Sequence, residues 1–247
     1  MKGFVIAFVL ALLAFQVAGA VDLKPVAGLE VGLGVMDSGI EDSRGDSVPR
    51  FDGGSPKTLD NDLLWGVGLM GGVLAGRTRW TCSGNLYGIL AEDDKQFEAP
   101  GESVEEAKLT TYALSPLFSY RVLESKAGKF RLWLGTGYRY YVIHGILRMA
   151  DSSGVSHTYE NGYLKYHNGV LTSSLDLKFT PRVGLALSYD RYVGRCPGDN
   201  VYLAFAWSVD GKDPGNEGRV FLRWTRSRGH YGALHFGLSG EMVFWND

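Results

Sequence analysis

The segment from Phe130 to Leu147 alternates between apolar positions and polar or small ones over a long run. Strands of soluble sheets have about five or six residues, so this length needs a thick apolar surrounding. A bilayer supplies it, because a membrane-spanning strand takes about 9 to 11 residues with apolar side chains outward and polar ones inward. The apolar face holds Phe130, Leu132, Leu134, Thr136, Tyr138, Tyr140 and Val142. The other face holds Arg131, Gly135, Gly137, Arg139 and Tyr141.

The same alternation recurs along the chain and predicts about ten strands, within a range of about 8 to 12. Short turns and long polar connections alternate between them, as in up-and-down barrels that cross a membrane. The long connections are predicted at 37–62, 92–106 and 149–161. The predicted strands cover 23–36, 63–75, 79–91, 108–122, 130–147, 163–179, 183–192, 201–207, 219–225 and 234–244.

The predicted fold is therefore all-β: a closed antiparallel transmembrane β-barrel. The alternative is a soluble periplasmic β-sandwich, which also has half-buried alternating strands. Sandwich strands are shorter, and their outer faces do not collect Arg and Glu opposite such uniformly aromatic and aliphatic faces. The barrel is the favoured interpretation.

Composition narrows the class further. The chain has 34 glycines in 247 residues and 13% aromatic residues, which suits curved strands with bulky rims. A mean hydropathy of -0.06 excludes a helical membrane protein. The net charge of -2 gives no basic face of the kind that binds nucleic acid.

The N-terminus has the pattern of a secretory signal. Lys2 precedes an apolar run, and Val17-Ala18-Gly19-Ala20 offers the small residues that signal peptidase requires. We interpret 1–20 as a cleaved signal peptide and 21–247 as one barrel domain, with an uncleaved anchor helix as the alternative. Export without a helical anchor leaves the periplasm, the outer membrane or the medium.

Neither cysteine nor histidine predicts a cofactor. Cys82 lies on an apolar strand face and Cys196 in a polar turn, so a disulfide between them is not expected, although exported proteins permit one. The histidines lack metal-ligand spacing. They are His144, His157, His167, His230 and His235.

The inward faces of the predicted strands carry charges of both signs. Their members are Glu30, Arg131, Arg139, Asp176, Lys178, Asp190, Arg219, Arg223, His235 and Glu241. The interior of a barrel of this size is narrow enough for side chains to fill, and buried ions need partners. We therefore expect a structural plug, with Glu30 and Glu241 meeting Arg219 or Arg223 where the first and last strands join. A small polar pore or a ligand site is the alternative.

The chain resembles the bacterial outer-membrane β-barrels over residues 21–247. The resemblance rests on the signal, the Gly137-to-Tyr140 segment Gly-Tyr-Arg-Tyr, and the closing strand through Phe244-Trp245. It implies a monomer in the outer membrane of a Gram-negative bacterium, in contact with outer-membrane lipid and lipopolysaccharide. It also implies assembly by the barrel-assembly machinery, which usually reads a terminal aromatic residue. Here Asn246 and Asp247 displace that residue.

Within that class the chain is similar to the omptin proteases, which implies acidic residues on one rim facing an Asp-His pair on the other. Glu92, Asp93 and Asp94 match the acidic half, but Asp190-Arg191-Tyr192 carries no histidine. A group that titrates near neutral pH is then missing from that mechanism. A lipid A deacylase needs His and Ser on a lipid-facing strand face, whereas His235 and Ser239 share the predicted inward face.

The sequence thus favours an outer-membrane barrel with a structural or surface-binding role and a largely filled polar lumen. The long outer connections are the candidate site for a surface ligand. The alternatives are a hydrolase at the outer rim and a small porin-like pore. Contact of His157 or His235 with Asp93, Asp94 or Asp190 would favour the enzyme.

Overall fold

The computed structural model describes residues 23–39, 58–91, 103–160, 164–195, 197–210, 215–227 and 231–244. The signal-peptide prediction lies outside these residues. Their regular structure is entirely β. The strands are β1 (Leu23–Gly39), β2 (Thr58–Ala75), β3 (Thr78–Ala91), β4 (Ser103–Glu124), β5 (Phe130–Ala150), β6 (Ser156–Glu160), β7 (Leu164–Thr180), β8 (Val183–Gly194), β9 (Gly198–Ser208), β10 (Glu217–Ser227) and β11 (Tyr231–Val243).

Ten of these strands close into one antiparallel ring. Each strand of the ring pairs with the next one along the chain, and β5 pairs with β7. The short strand β6 lies outside the ring and pairs with the last residues of β5. The ring closes between β1 and β11, from Val26 opposite Val243 to Ser38 opposite Tyr231. The predicted up-and-down barrel of about ten strands is confirmed.

No helix in the described part of the chain has both the length and the apolar character needed to span a membrane.

Side-chain exposure follows the predicted alternation. On β1, Leu29 and Leu33 are 52% and 59% exposed, while Glu30 between them is half-buried. The other strands continue this apolar exterior around the ring, through residues such as Leu69, Leu114, Leu171, Leu203, Leu222 and Phe236. So much exposed apolar surface on every side of a closed ring is what lipid tails cover.

Two inward glycines make room for large rings inside the wall. A Cβ on Gly32 would lie 2.8 Å from His235 Cδ2, and one on Gly237 would lie 2.6 Å from Phe221 Cζ. Both distances are closer than carbon atoms tolerate. Glycine at these positions lets Phe221 and His235 be almost completely buried against the barrel wall.

The short connections lie where the sequence predicts them. Gly76 and Gly128 adopt positive φ, 59° and 65°, in the β2–β3 and β4–β5 turns, a conformation that glycine adopts without strain. In the β7–β8 turn, Thr180 Oγ1 accepts a hydrogen bond from the Val183 amide at 3.0 Å. These turns lie at the same end as the start of β1 and the end of β11.

The predicted long connections are wrong at their edges. β1 continues to Gly39, β2 begins at Thr58 and β4 begins at Ser103. The stretch 149–161, predicted as a loop, contains the end of β5 and all of β6, joined by a tight turn with Gly154 at φ 80°. Backbone pairing in a hairpin needs no apolar alternation, so strands run on past the residues whose pattern reveals them.

Candidate functional site in the barrel lumen

An ion pair between Glu30 of β1 and Arg223 of β10 lies at the centre of the lumen. Arg223 Nη2 donates to Glu30 Oε2 at 2.6 Å, and Nη1 donates to the other carboxylate oxygen. The same Nη1 donates to the Tyr87 hydroxyl of β3 at 2.7 Å. Because β10 and β3 lie on opposite sides of the β11–β1–β2 segment of the ring, this contact spans the lumen.

Aromatic rings surround the central pair. The Arg223 guanidinium lies 5.2 Å from the ring centroids of both Tyr202 and Phe221, within the range of cation–π attraction. His235 packs edge-on against Phe221 and Tyr87, and its Nε2 is 3.7 Å from Glu30 Oε1. The side chains of Arg223 and Glu30 are only 14% and 16% exposed, and this partial burial strengthens their ion pair relative to a surface pair.

A second charged group lies towards the short-turn end. Glu241 of β11 binds Arg79 of β3 at 2.9 Å and Arg219 of β10 at 3.2 Å. Arg219 also binds Glu217 at 2.8 Å. Each carboxylate thus has an arginine partner, as buried charge requires.

Towards the other end, Arg139 of β5 is stacked between two tyrosine rings. Its guanidinium lies 4.6 Å from the Tyr141 centroid and 4.2 Å from the Tyr192 centroid of β8. All three side chains are buried. The stack narrows the lumen on the side of the long connections.

Asp190 belongs to a hydrogen-bonded chain that crosses three strands. Asn200 Nδ2 donates to Asp190 Oδ2 at 2.9 Å, and Thr225 Oγ1 donates to Asn200 Oδ1 at 2.9 Å. The three residues are direct cross-strand neighbours on β8, β9 and β10. Asp190 is therefore held in place by hydrogen bonds from neutral side chains.

The remaining predicted lumen residues lie near the short-turn end. Asp176 accepts a hydrogen bond from Trp133 Nε1 at 3.0 Å. Arg131 binds Glu124 at 2.9 Å. Lys178 lines a small cavity at that end.

The ten predicted lumen residues therefore fall into separate groups rather than one network. Glu30, Arg223 and His235 are together, and Arg219 and Glu241 are together, while Arg139, Asp190, Asp176 and Arg131 each have other partners. Sequence reasoning did not select the partners Arg79, Glu217, Trp133, Tyr87 and Tyr202. Arg79 has the same strand parity as the inward Thr81 and Ser83, which was the available signal.

Three adjoining cavities lie between these groups. The middle one measures about 250 Å³, the one towards the short turns about 70 Å³ and the one towards the long connections about 100 Å³. The middle cavity shares Trp133 and Asp176 with the cavity towards the short turns, and it shares Asp190 and Asn200 with the cavity towards the long connections. The lumen thus holds space as well as ion pairs.

Within the described part of the chain, His157 and His235 each lie against a carboxylate other than Asp190. His157 Nε2 lies 3.2 Å from Asp151, and His235 lies against Glu30. Asp190 is held by Asn200, and Asp93 and Asp94 lie outside the described residues. Arg191, next to Asp190, binds Asp199 at 2.7 Å on the outward side.

Ser239, metal-binding side chains and the two cysteines are the remaining candidates for chemistry. Ser239 shares the inward face with His235 and its hydroxyl lies 3.3 Å from that of Tyr202. No cluster of His, Cys, Asp and Glu suited to a metal ion occurs within these residues. Cys196 lies outside them, so the prediction that it forms no disulfide with Cys82 stays a prediction.

The closed ring and its continuous apolar exterior decide the class of protein. The chain is an outer-membrane β-barrel. The fold and the location implied by the sequence resemblance are both confirmed.

Comparison with known proteins adds a set of similar barrels with varied roles. No protein-family model and no characterised protein sequence matches the chain. It is similar to the translocator domain of the autotransporter NalP from Neisseria meningitidis, at 15% identity, 90% coverage of this chain, 88% of that chain and a TM-score of 0.47.

The outer-membrane protease OmpT from Escherichia coli is 10% identical, with 90% and 97% coverage of this chain and that chain and a TM-score of 0.45. The attachment invasion locus protein Ail of Yersinia pestis is 9% identical, with 90% and 99% coverage and a TM-score of 0.38.

Proposed function

We propose that this outer-membrane barrel anchors a sheet at the cell surface and acts through that sheet as a surface-binding protein. The observation that carries the proposal is the extension of β4 and β5 beyond the ring. Because outer-membrane barrels have short periplasmic turns and long outer connections, the end with the long connections faces outward. The extension lies at that end.

The register defines how far the sheet projects. β5 leaves β7 at Ile143, opposite Leu164, and pairs with β6 from Ile146 onward. On its other side it stays paired with β4 to the end, where Ser103 lies opposite Ala150. At about 3.3 Å per residue, residues 144–150 span about 20 Å along the strand.

Polar contacts hold the projecting sheet together. Arg148 lies 3.4 Å from Glu106, which also pairs with Lys108. The Ser156 hydroxyl donates to Glu105 at 2.9 Å, which links β6 to β4 across β5. An ordered, charged surface of this kind suits binding better than a chain of flexible loops.

The proposal includes contact with outer-membrane lipid and lipopolysaccharide, the partners that the sequence resemblance implies. Arg191 binds Asp199 at 2.8 and 2.7 Å on the outward side of β8 and β9, beside Tyr189. This polar group lies at the outer end of the apolar belt, at the depth where the polar head groups of lipopolysaccharide lie. The proposal also includes insertion of the barrel by the barrel-assembly machinery and a monomeric state.

The surface role is tested by shortening the sheet. A variant that joins Ile143 to Leu164 through a short glycine-rich turn removes β6 and the projecting part of β5, which leaves the projecting part of β4 without its strand partner and keeps the last β5–β7 pair. Cells that display it should lose adhesion to immobilised polysaccharides or purified lipopolysaccharide that the intact protein binds. The matched control places the same turn in 125–129, at the opposite end, and should keep adhesion. Equal adhesion by both variants, or none by the intact protein, would contradict the proposal.

A small pore is the second candidate, and the adjoining cavities favour it. The contact from Arg223 across to Tyr87 and the Arg139 stack oppose it, since both narrow the path. Conductance of the protein in planar bilayers tests the pore, because a pore conducts and a barrel that only anchors the sheet does not.

A further inference from the structure

The two walls of the middle cavity differ in chemistry. One wall, formed by β1, β10 and β11, carries the ion pairs of Glu30 with Arg223 and of Glu241 with Arg219. The opposite wall, formed by β3, β4, β7 and β8, carries three charged residues, Arg79, Asp176 and Asp190, among a larger number of short hydroxyl side chains. These hydroxyl side chains are Thr81, Ser83, Ser119, Thr172, Ser174 and Ser188. The short side chains leave the cavity open on the hydroxyl side.

We propose that the middle cavity binds a small uncharged polyhydroxylated solute, of about the size of a monosaccharide. Its volume of about 250 Å³ lies just below the range of about 300–1,000 Å³ found for drug-sized ligands. This site is independent of the surface sheet, since none of its lining residues belongs to the projecting part of β4, β5 or β6.

The charges of the cavity favour an uncharged ligand. Its lining includes three arginines and four carboxylates, and the arginines already bind carboxylates. An anion would have to displace an existing carboxylate partner of an arginine. A cation would share Asp176 and Asp190 with the hydrogen bonds that Trp133 and Asn200 already donate to them. A neutral solute avoids that cost.

The hydrogen-bonding groups match those that hydroxyls require. Serine and threonine side chains both donate and accept, and so does each sugar hydroxyl. The Asn85 side chain also lines the cavity and adds an amide group that both donates and accepts.

Trp133 supplies an apolar surface beside the hydroxyl wall. The Arg121 guanidinium lies 5.4 Å from the centroid of its ring, and Asp176 accepts a hydrogen bond from its indole nitrogen. These two contacts fix the ring at the cavity edge. Trp133 is opposite Ser174, which is opposite Ser188, so ring and hydroxyls form one cross-strand row. A ring beside hydroxyls suits a sugar, which has C–H faces and polar edges.

The test uses the full-length barrel in a detergent without sugar headgroups and follows binding by isothermal titration calorimetry. The probes are D-glucose and glycerol, with inorganic phosphate as the anionic comparison and ethylammonium as the cationic one. We expect D-glucose to bind with a dissociation constant in the millimolar range or tighter, and the charged probes to bind at least tenfold more weakly. No binding of D-glucose or glycerol, or equal binding of the charged probes, would overturn the proposal.

Neighbouring serines on β7 provide matched variants. Ser174→Leu fills the cavity and should weaken D-glucose binding at least tenfold. Ser173→Leu lies on the opposite strand face and should leave binding unchanged. Ser188→Val gives a second cavity variant if Ser174→Leu does not give the heat-modifiable mobility of a folded barrel. Equal affinity in the cavity variants and in Ser173→Leu would show that the sugar binds elsewhere, and would contradict the proposal. The shortened-sheet variant should keep D-glucose binding, whatever the outcome for adhesion.

Discussion

At the scale of single residues, the lumen depends on matching each buried charge with a partner from another strand. Glu30 and Arg223 are far apart in the sequence and meet only because β1 and β10 lie either side of β11. Removing one member of such a pair leaves the other buried and uncompensated, which is more costly than removing both.

We therefore predict that Arg223→Met lowers the free energy of unfolding by about 3–5 kcal/mol. The double variant Glu30→Gln with Arg223→Met should recover most of that loss. Arg191→Met, whose partner Asp199 is on the outward side, should change the free energy by about 0–1 kcal/mol. Urea unfolding in detergent or lipid vesicles measures all three. A single variant as stable as the double variant would be incompatible with a buried, paired Glu30.

At the scale of elements, the β5–β6 hairpin shows how a turn orders a projecting sheet. Asp151 accepts hydrogen bonds from the Ser153 amide at 2.8 Å and the Val155 amide at 3.0 Å, and it contacts His157. These contacts hold the tight turn that the sequence pattern left as part of a loop.

The hairpin should consequently lose order in acid. The Ser153 hydroxyl first, then the Val155 amide and His157, hold the pKa of Asp151 below its ordinary value. A lowered pKa means that the carboxylate stabilises the folded turn above the ordinary pKa of about 4, and that this stabilisation is lost as the pH falls through the lowered value.

Amide hydrogen exchange measures this effect. The protection factors of Ser153 and Val155 should be constant between pH 5 and pH 7 and fall at strongly acidic pH. In Asp151→Ala they should be low at every pH. Protection that persists in the alanine variant would mean that strand pairing, not the carboxylate, orders the turn.

At the scale of the whole molecule, the outside of the ring faces lipid, and ion-paired or stacked side chains cross its inside. Ion pairs link β1 to β10 and β3 to β11, and the stacked Arg139 lies nearer the outer end. Such contacts divide the lumen into small cavities, so solutes should not cross it freely.

We predict that the protein gives no stepwise conductance in planar bilayers. The variant that combines Glu30→Ala, Arg79→Ala, Arg139→Ala and Arg223→Ala removes the central contact, the β3–β11 ion pair and the outer stack, and should conduct. The matched control, Arg191→Ala with Asp199→Ala, removes an ion pair of the same kind from the outward face and should stay silent. Conductance by the unmodified protein would instead establish the small pore.

Much of the fold could be predicted from the chain because the strand pattern is local. The positions of Leu29, Leu171 and Phe236 on outward faces follow from alternation alone, and the structure places them there. Strand ends were predicted less well: β6 and the start of β4 carry polar residues, and hairpin pairing sets their limits instead.

The lumen contacts could be predicted only in part. The inward parity of Glu30, Arg223 and Glu241 is readable, but Arg79 was passed over because it lies at the start of its strand. Trp133 has the same parity as Arg131 and Arg139, but nothing in the local pattern marks it as a contact residue of the lumen. Its indole nitrogen is satisfied by Asp176, which lies on a different strand.

The sequence by itself determined the class of protein and which face of each strand meets lipid, because a period of two is a property of neighbouring residues. Only the tertiary structure decided which charges meet, where the lumen stays open and how far β4 and β5 project. Those depend on the register of each pair and on the closure of the ring, which bring together side chains that no local pattern relates.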